Sequence, residues 1–311
     1  MPTLTTLCRT ATTFNPAKGL DEDALAAFLG RLADAGLGFY LGSGGSGEGH
    51  ALSLDELERV YRVGVAVAGG RVQANANLPE QHTAANTVAH AQVAIRAGVD
   101  VINVYGPTGW HGYRPTDEEL VAYFDDVLGQ ISHPVAIAPN PIIGYTPAAP
   151  LMAEICARHS QVVAVNLAGL GDSYFIRLKD SLRRDVDVYV PFRSSWHTLR
   201  AGATGLLGAE ANIIPETFRR YLDAYAAADD AGLTEAYAEL VRFSDYVHPW
   251  HTTSPRWLKM AMTVLGLPGA SGGVRDPYRD AAEAEVEKFA AGLRQLDVRE
   301  VQESLSAASG R

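Results

Sequence analysis

A (β/α)8 TIM barrel of the α/β class, extended by C-terminal helices, is the architecture this sequence predicts. Three observations predict it. Short apolar runs rich in β-branched and aromatic residues alternate with longer amphipathic runs, the pattern of consecutive parallel βαβ units. The strand-like runs number eight, which suits a closed barrel better than an open sheet. The chain has 311 residues, 47% of them hydrophobic. That exceeds the roughly 250 residues of a bare barrel and leaves material for an appendage.

The expected strands run over 4–13, 38–41, 71–77, 99–105, 134–138, 162–167, 186–190 and 205–210. Helix starts are marked by the capping boxes Ser53-Leu54-Asp55-Glu56 and Thr116-Asp117-Glu118-Glu119, and by Pro147 after Thr146. Helix stops are expected at Gly36, Gly69-Gly70, Gly98 and Gly129. Beyond the last strand, helical patterns cover 215–230, 233–248, 255–265 and 275–296. The barrel is therefore expected over 1–230 and a helical subdomain over 231–297. The polar, small-residue-rich tail over 298–311 is expected to fray.

The formal net charge of -10 disfavours nucleic acid as a partner, because an acidic surface repels phosphates. Cys8 and Cys156 lie far apart and form neither a disulfide framework nor a metal pair. No signal peptide and no membrane-length apolar run is visible, so a cytoplasmic protein is expected. The nine histidines show no ligand spacing at strand ends; His248 and His251 fall in the helical appendage. No metal and no cofactor is expected.

The loop after the second strand reads Gly44-Gly45-Ser46-Gly47-Glu48. Glycines there let consecutive N–H groups converge on an anion. Other sequence marks accompany it: Phe14-Asn15 with Gly19 and Asp21, Ala97-Gly98-Val99-Asp100, Asn140-Pro141, Gly202-Ala203-Thr204-Gly205, Ala211-Asn212 with Pro215, and Gly273-Val274-Arg275 with Pro277. In this order and spacing, the chain resembles the dihydrodipicolinate synthase / N-acetylneuraminate lyase family over nearly its whole length. The resemblance implies that the glycine-rich loop, through Gly45, Ser46 and Gly47, holds the carboxylate of a 2-oxo acid. It also implies a homo-oligomer, a dimer or tetramer, with the aromatic segment 105–113 near a subunit contact.

The resemblance stops at the chemistry. Where the family carries its Schiff-base lysine at the end of strand six, this chain carries Asn166, and an amide cannot form an imine with a ketone. The family's proton-carrying tyrosine matches Ala138, its second-carboxylate arginine matches Ile143, and the first threonine of its loop matches Gly45. The span from Gly38 to Glu48 is also one residue longer than usual. Of the four lysines, Lys18, Lys179, Lys259 and Lys288, none ends a strand, and Lys18 alone sits in a strand-to-helix loop.

Other residues are candidates for replacement chemistry. Glu210, at the end of the eighth strand, is expected to move a proton; the plain alternative is a structural ion pair. Arg193 is placed to grip a carboxylate bidentately, with Arg9 as a second candidate. Asn166 is expected to face the barrel mouth, and Asn75, Asn77 and Asn140 are amides near strand ends suited to hydroxyls or an oxyanion. Tyr145 is a stand-in for the lost tyrosine, and His111 a loop histidine with acid–base potential. The reading that follows is a lyase acting on a small carboxylate or 2-oxo acid without a lysine imine. The competing readings are an inactive relative that binds a small molecule or supports a partner, and a changed reaction class such as a hydrolase.

Overall fold

The computed structural model describes residues 4–109, 111–250 and 255–309. Eight strands form one closed barrel: β1 (Thr5–Arg9), β2 (Gly38–Leu41), β3 (Ala74–Asn77), β4 (Ile102–Tyr105), β5 (Val135–Ala138), β6 (Val162–Asn166), β7 (Asp187–Val190) and β8 (Gly205–Gly208). Every neighbouring pair is parallel, and β8 closes on β1 with Leu207 opposite Leu7. Each expected strand is present, and most are shorter than the apolar run that announces them. The expected strand over 4–13 ends at Arg9 because Thr10–Thr13 turn to hold loops: Thr12 Oγ1 donates to the Gly47 carbonyl at 2.6 Å and Thr13 Oγ1 to that of Asp21 at 2.7 Å.

The helices α1 (Glu22–Asp34), α2 (Leu54–Ala68), α3 (Ala84–Ala97), α4 (Asp117–Leu128), α5 (Ala149–Arg158), α6 (Asp172–Ser181), α7 (Phe192–Thr198) and α8 (Pro215–Ala226) ring the barrel. Both capping boxes form: Ser53 and Glu56 exchange hydrogen bonds with each other's backbone N–H, as do Thr116 and Glu119. Gly98 ends α3 at φ 81°, a left-handed cap that a side chain would strain. Gly129 differs: it closes α4 in right-handed conformation at φ -64°.

Apolar faces of these helices pack on the outward residues of the strands in one large core that includes Phe28, Phe39, Phe124, Phe175 and Phe218. The lumen is separate. Leu7, Tyr40, Ala136, Ala164, Tyr189 and Leu207 fill it from alternate strand positions. Because side chains alternate along a strand, the residues two positions further on, Arg9, Ala138 and Asn166, belong to the mouth.

Beyond the barrel lie α9 (Asp230–Val247), α10 (Arg256–Val264), α11 (Glu283–Arg294) and α12 (Arg299–Ser309). Two expectations are corrected here. The helix expected over 275–296 begins only at Glu283, because the preceding strap is held by tertiary bonds. The Arg275 N–H donates to Glu48 at 2.8 Å, its guanidinium clamps Glu56 at 2.7 and 3.0 Å, and the Val274 N–H donates to Asp280. The tail expected to fray is instead helical. Val298 and Val301 are buried, and Glu300 accepts from the Glu216 and Thr217 N–H groups at the start of α8. Among the described residues, no helix is long and apolar enough to cross a membrane.

Candidate active site

The C-terminal ends of the strands open into a cavity of about 340 Å³. Its wall is built by Arg9 from β1, Ser43–Ser46 after β2, Asn77 and Glu80 at and beyond the end of β3, Tyr105 from β4, Asn140 after β5, and Pro255 with Trp257 from the start of α10. Beneath it lies a second void of about 10 Å³, the room of a single water. Arg9, Asn77 and Tyr105 border both spaces, so they form the shelf between them.

The glycine-rich loop is tied from behind. Ser43 Oγ accepts from the Gly47 N–H at 3.0 Å, the Gly49 N–H donates to the Ser43 carbonyl, and the Glu48 N–H donates to that of Gly45. Glu48 takes a left-handed φ of 52° and is fully buried. It lies 3.5 Å from Lys259 Nζ of α10, which also donates to the Thr12 carbonyl. The circuit Glu48, Lys259, Thr12, Gly47 thus fixes the loop to β1 and to the helical subdomain. The N–H groups of Gly44, Gly45 and Ser46 donate to no described residue. They border the cavity and are available to an electron-rich ligand atom.

Two charges face this cavity without a salt bridge to a described residue: Arg9 and Glu80. Arg9 is held at its backbone, since its carbonyl accepts from Asn212 Nδ2 at 2.8 Å, while its buried Nε has no partner. Glu80 packs directly on the loop: a side chain at Gly44 would place its first carbon 2.3 Å from Glu80 Oε2. Burial pushes the Glu80 carboxyl above its ordinary value, and its own backbone N–H and the charges of His50 and Arg9 offset only part of that. Burial, then the Glu80 charge, pushes Tyr105 to about 12, against the pull of Arg9, Asn77 and Asn140.

The floor is an amide ladder. Asn166 Nδ2 donates to Tyr40 Oη at 2.8 Å and to Asn103 Oδ1 at 2.7 Å, and Asn103 Nδ2 donates to Asn77 Oδ1 at 2.6 Å. Asn166 Oδ1 is buried without a partner and borders the lower void. Its lone pairs leave it able to accept from a ligand hydroxyl.

Of the residues expected from sequence, Gly45, Ser46 and Asn140 border the upper cavity and Asn166 the lower. Arg9 and Asn77, also expected from sequence, border both; the remaining candidates border neither. Glu210 starts a short 3-10 turn, Glu210–Asn212, that swings its carboxylate to Ser244 Oγ of α9 at 3.0 Å. Arg193 lies in the first turn of α7, exposed and paired with Asp245 at 2.5 Å. The Tyr145 hydroxyl is committed to the Pro107 carbonyl at 2.9 Å. Asn75 sits a layer deeper, bonded to Gln73. Gly47 spends its N–H on Ser43 and its carbonyl on Thr12. His111 is exposed at φ 51°; His251 lies outside the described residues. No three potential metal ligands cluster among the described residues. Sequence reasoning passed over Glu80, Tyr40, Asn103 and Trp257, and read Tyr105 only as part of an aromatic segment near a subunit contact. The signal for Glu80 was its place just past β3 behind Pro79, where a strand end delivers its next residues to the mouth.

The Dihydrodipicolinate synthetase family model matches residues 4–296. A 4-hydroxy-tetrahydrodipicolinate synthase of Methanospirillum hungatei is 27% identical over 288 residues, 91% of this chain and 95% of that protein. Its counterpart in Xanthomonas axonopodis pv. citri is 31% identical over 237 residues, 72% of this chain and 76% of that protein. In fold, the chain is similar to a prophage protein of the dihydrodipicolinic acid synthase family from E. coli K12 in complex with pyruvate. The TM-score is 0.84 at 21% identity, covering 95% of this chain and 99% of that one. The Aquifex aeolicus dihydrodipicolinate synthase gives 0.83 at 19%, covering 95% and 99%. With the family model spanning barrel and helical extension alike, the chain belongs to the dihydrodipicolinate synthetase family.

Proposed function

We propose that this protein is a lyase that acts on a small carboxylate or 2-oxo acid without a lysine imine. The observation that carries this reading is the composition of the cavity wall. It combines an unpaired guanidinium, a carboxyl with a raised pKa and free loop N–H groups, with no lysine among the described residues that border it. Lys18 is engaged by Asp280 and the Gly272 carbonyl, Lys259 by Glu48 and Thr12, and Lys179 and Lys288 lie on α6 and α11. Asn166, at the end of β6, has no amine to condense with a ketone.

In this reading Glu80 takes over the proton transfer assigned to Glu210 from sequence. Its carboxylate removes a proton from the carbon next to the substrate carbonyl, and the electron pair moves onto the carbonyl oxygen. The enolate charge is met by the loop N–H groups in a partly dehydrated site, where such donors act most strongly. A raised carboxyl pKa suits this role, since it makes the carboxylate a stronger base toward a carbon acid. Addition to an aldehyde, or the reverse cleavage, then proceeds from the enolate. Assembly as a homo-oligomer belongs to the same reading.

The test is deuterium exchange at the methyl group of pyruvate in D2O, followed by NMR. The wild-type chain is expected to catalyse exchange, and Glu80→Gln to slow it by about 100-fold or more. Exchange that survives Glu80→Gln but collapses in Glu210→Gln would contradict the assignment.

A further inference from the structure

We propose that Arg9, rather than the glycine-rich loop, takes the substrate carboxylate, and that the site therefore selects small acids bearing a single carboxylate. This deepens the reading above and rests on it for the location of the site. Three observations lead there. Among the described residues bordering the cavity, Arg9 is the one cation. Its guanidinium forms no salt bridge with a described residue, and its Nε is buried without an acceptor. A half-buried cation left in this state gains a charge-assisted, two-pronged bond when a carboxylate arrives.

The loop is the poorer place for that carboxylate. Its Gly44 end is already pressed by Glu80, whose Oε2 occupies the space a side chain would need. An anion seated on the N–H groups of Gly44–Ser46 would sit beside this carboxylate, whereas a neutral carbonyl oxygen would not be repelled. With Arg9 taken by the first carboxylate, a second one meets Glu80 and the neutral groups of Asn77, Tyr105 and Asn140. Nothing described on the wall balances its charge, and an unbalanced charge in a half-enclosed site is costly.

Calorimetric titration of matched acids tests this. Pyruvate, lactate and glycerate are the single-carboxylate probes; 2-oxoglutarate and malate are the doubly charged ones. At least one single-carboxylate probe is expected to bind at least about tenfold tighter than its doubly charged counterpart. Arg9→Gln should weaken that binding by at least about tenfold, and Arg9→Lys should recover part of it. Glu80→Gln should narrow the gap by admitting the second carboxylate. Equal or tighter binding of the dicarboxylates, binding indifferent to Arg9→Gln, or no binding of any single-carboxylate probe overturns the proposal. If Arg9→Gln does not fold, the wild-type gap between matched acids decides alone. A lysine adduct formed with these acids would end the imine-free reading and leave charge selection standing. Imine-free turnover with equal affinity for dicarboxylates would do the reverse.

Discussion

Two charged clusters sit within the same end of the barrel, and they are built in opposite ways. Behind the glycine-rich loop, Glu48, Lys259, Arg275 and Glu56 form a closed network: Lys259 answers Glu48, Arg275 clamps Glu56, and backbone groups take up other donors and acceptors. Facing the cavity, Arg9 and Glu80 have no salt bridge to a described residue. Taking charge out of water is costly in both places, but only the first cluster pairs its charges internally. The comparison separates scaffold from site. In the reading proposed above, the closed cluster holds the loop and the open one keeps its charge for a ligand.

The largest effect expected from this contrast is on stability. Lys259→Met strands Glu48 in the interior and should cost about 3–5 kcal/mol, read from denaturant unfolding. Adding Glu48→Gln should recover part of the loss. Arg9→Gln should cost far less, because no internal partner is orphaned. A comparable loss at Arg9 would erase the distinction between the clusters.

A smaller effect is expected at Gly44. An added methyl group meets only the far end of Glu80, a flexible side chain that can swing away. Gly44→Ala should therefore change stability by about 1 kcal/mol or less while lowering proton exchange by about tenfold, since displacement by an ångström is enough to spoil a catalytic geometry. Unchanged exchange would mean that Glu80 need not lie against the loop.

A further expected effect, on the pH dependence of stability, lies away from both clusters, at Glu300. Burial raises its carboxyl from 4.5 to about 7, although the Thr217 and Glu216 N–H groups favour the charged form. The folded state therefore holds this proton more tightly than the unfolded chain. Its contribution to stability is complete below about 4.5 and is lost as pH rises through about 7. Glu300→Gln should flatten that part of the pH–stability curve. A slope equally steep in the variant would assign it to other groups.

Much of the fold was legible because its signals are local. β-branched runs, capping boxes and a terminal glycine such as Gly98 act within a few residues, and they mark elements wherever the chain finally packs. Asn166 was legible for a related reason: alternation along a strand sends its side chain inward. Glu210, Arg193 and Glu80 depend on tertiary geometry. A single 3-10 turn directs Glu210 to Ser244, the pitch of α7 directs Arg193 to Asp245, and Glu80 enters the mouth from beyond any periodic pattern. Arg9 shows the limit of both kinds of evidence. Its strand was evident from sequence, but its lack of an internal partner emerges only when the whole mouth is assembled.

The central claim is that carbonyl chemistry here proceeds without a covalent lysine adduct. Borohydride reduction in the presence of pyruvate, followed by intact mass measurement, tests it most directly. The account predicts a mass unchanged from the untreated protein under conditions where pyruvate binds and exchanges its protons. A stable increase matching one reduced pyruvate on a lysine would contradict it.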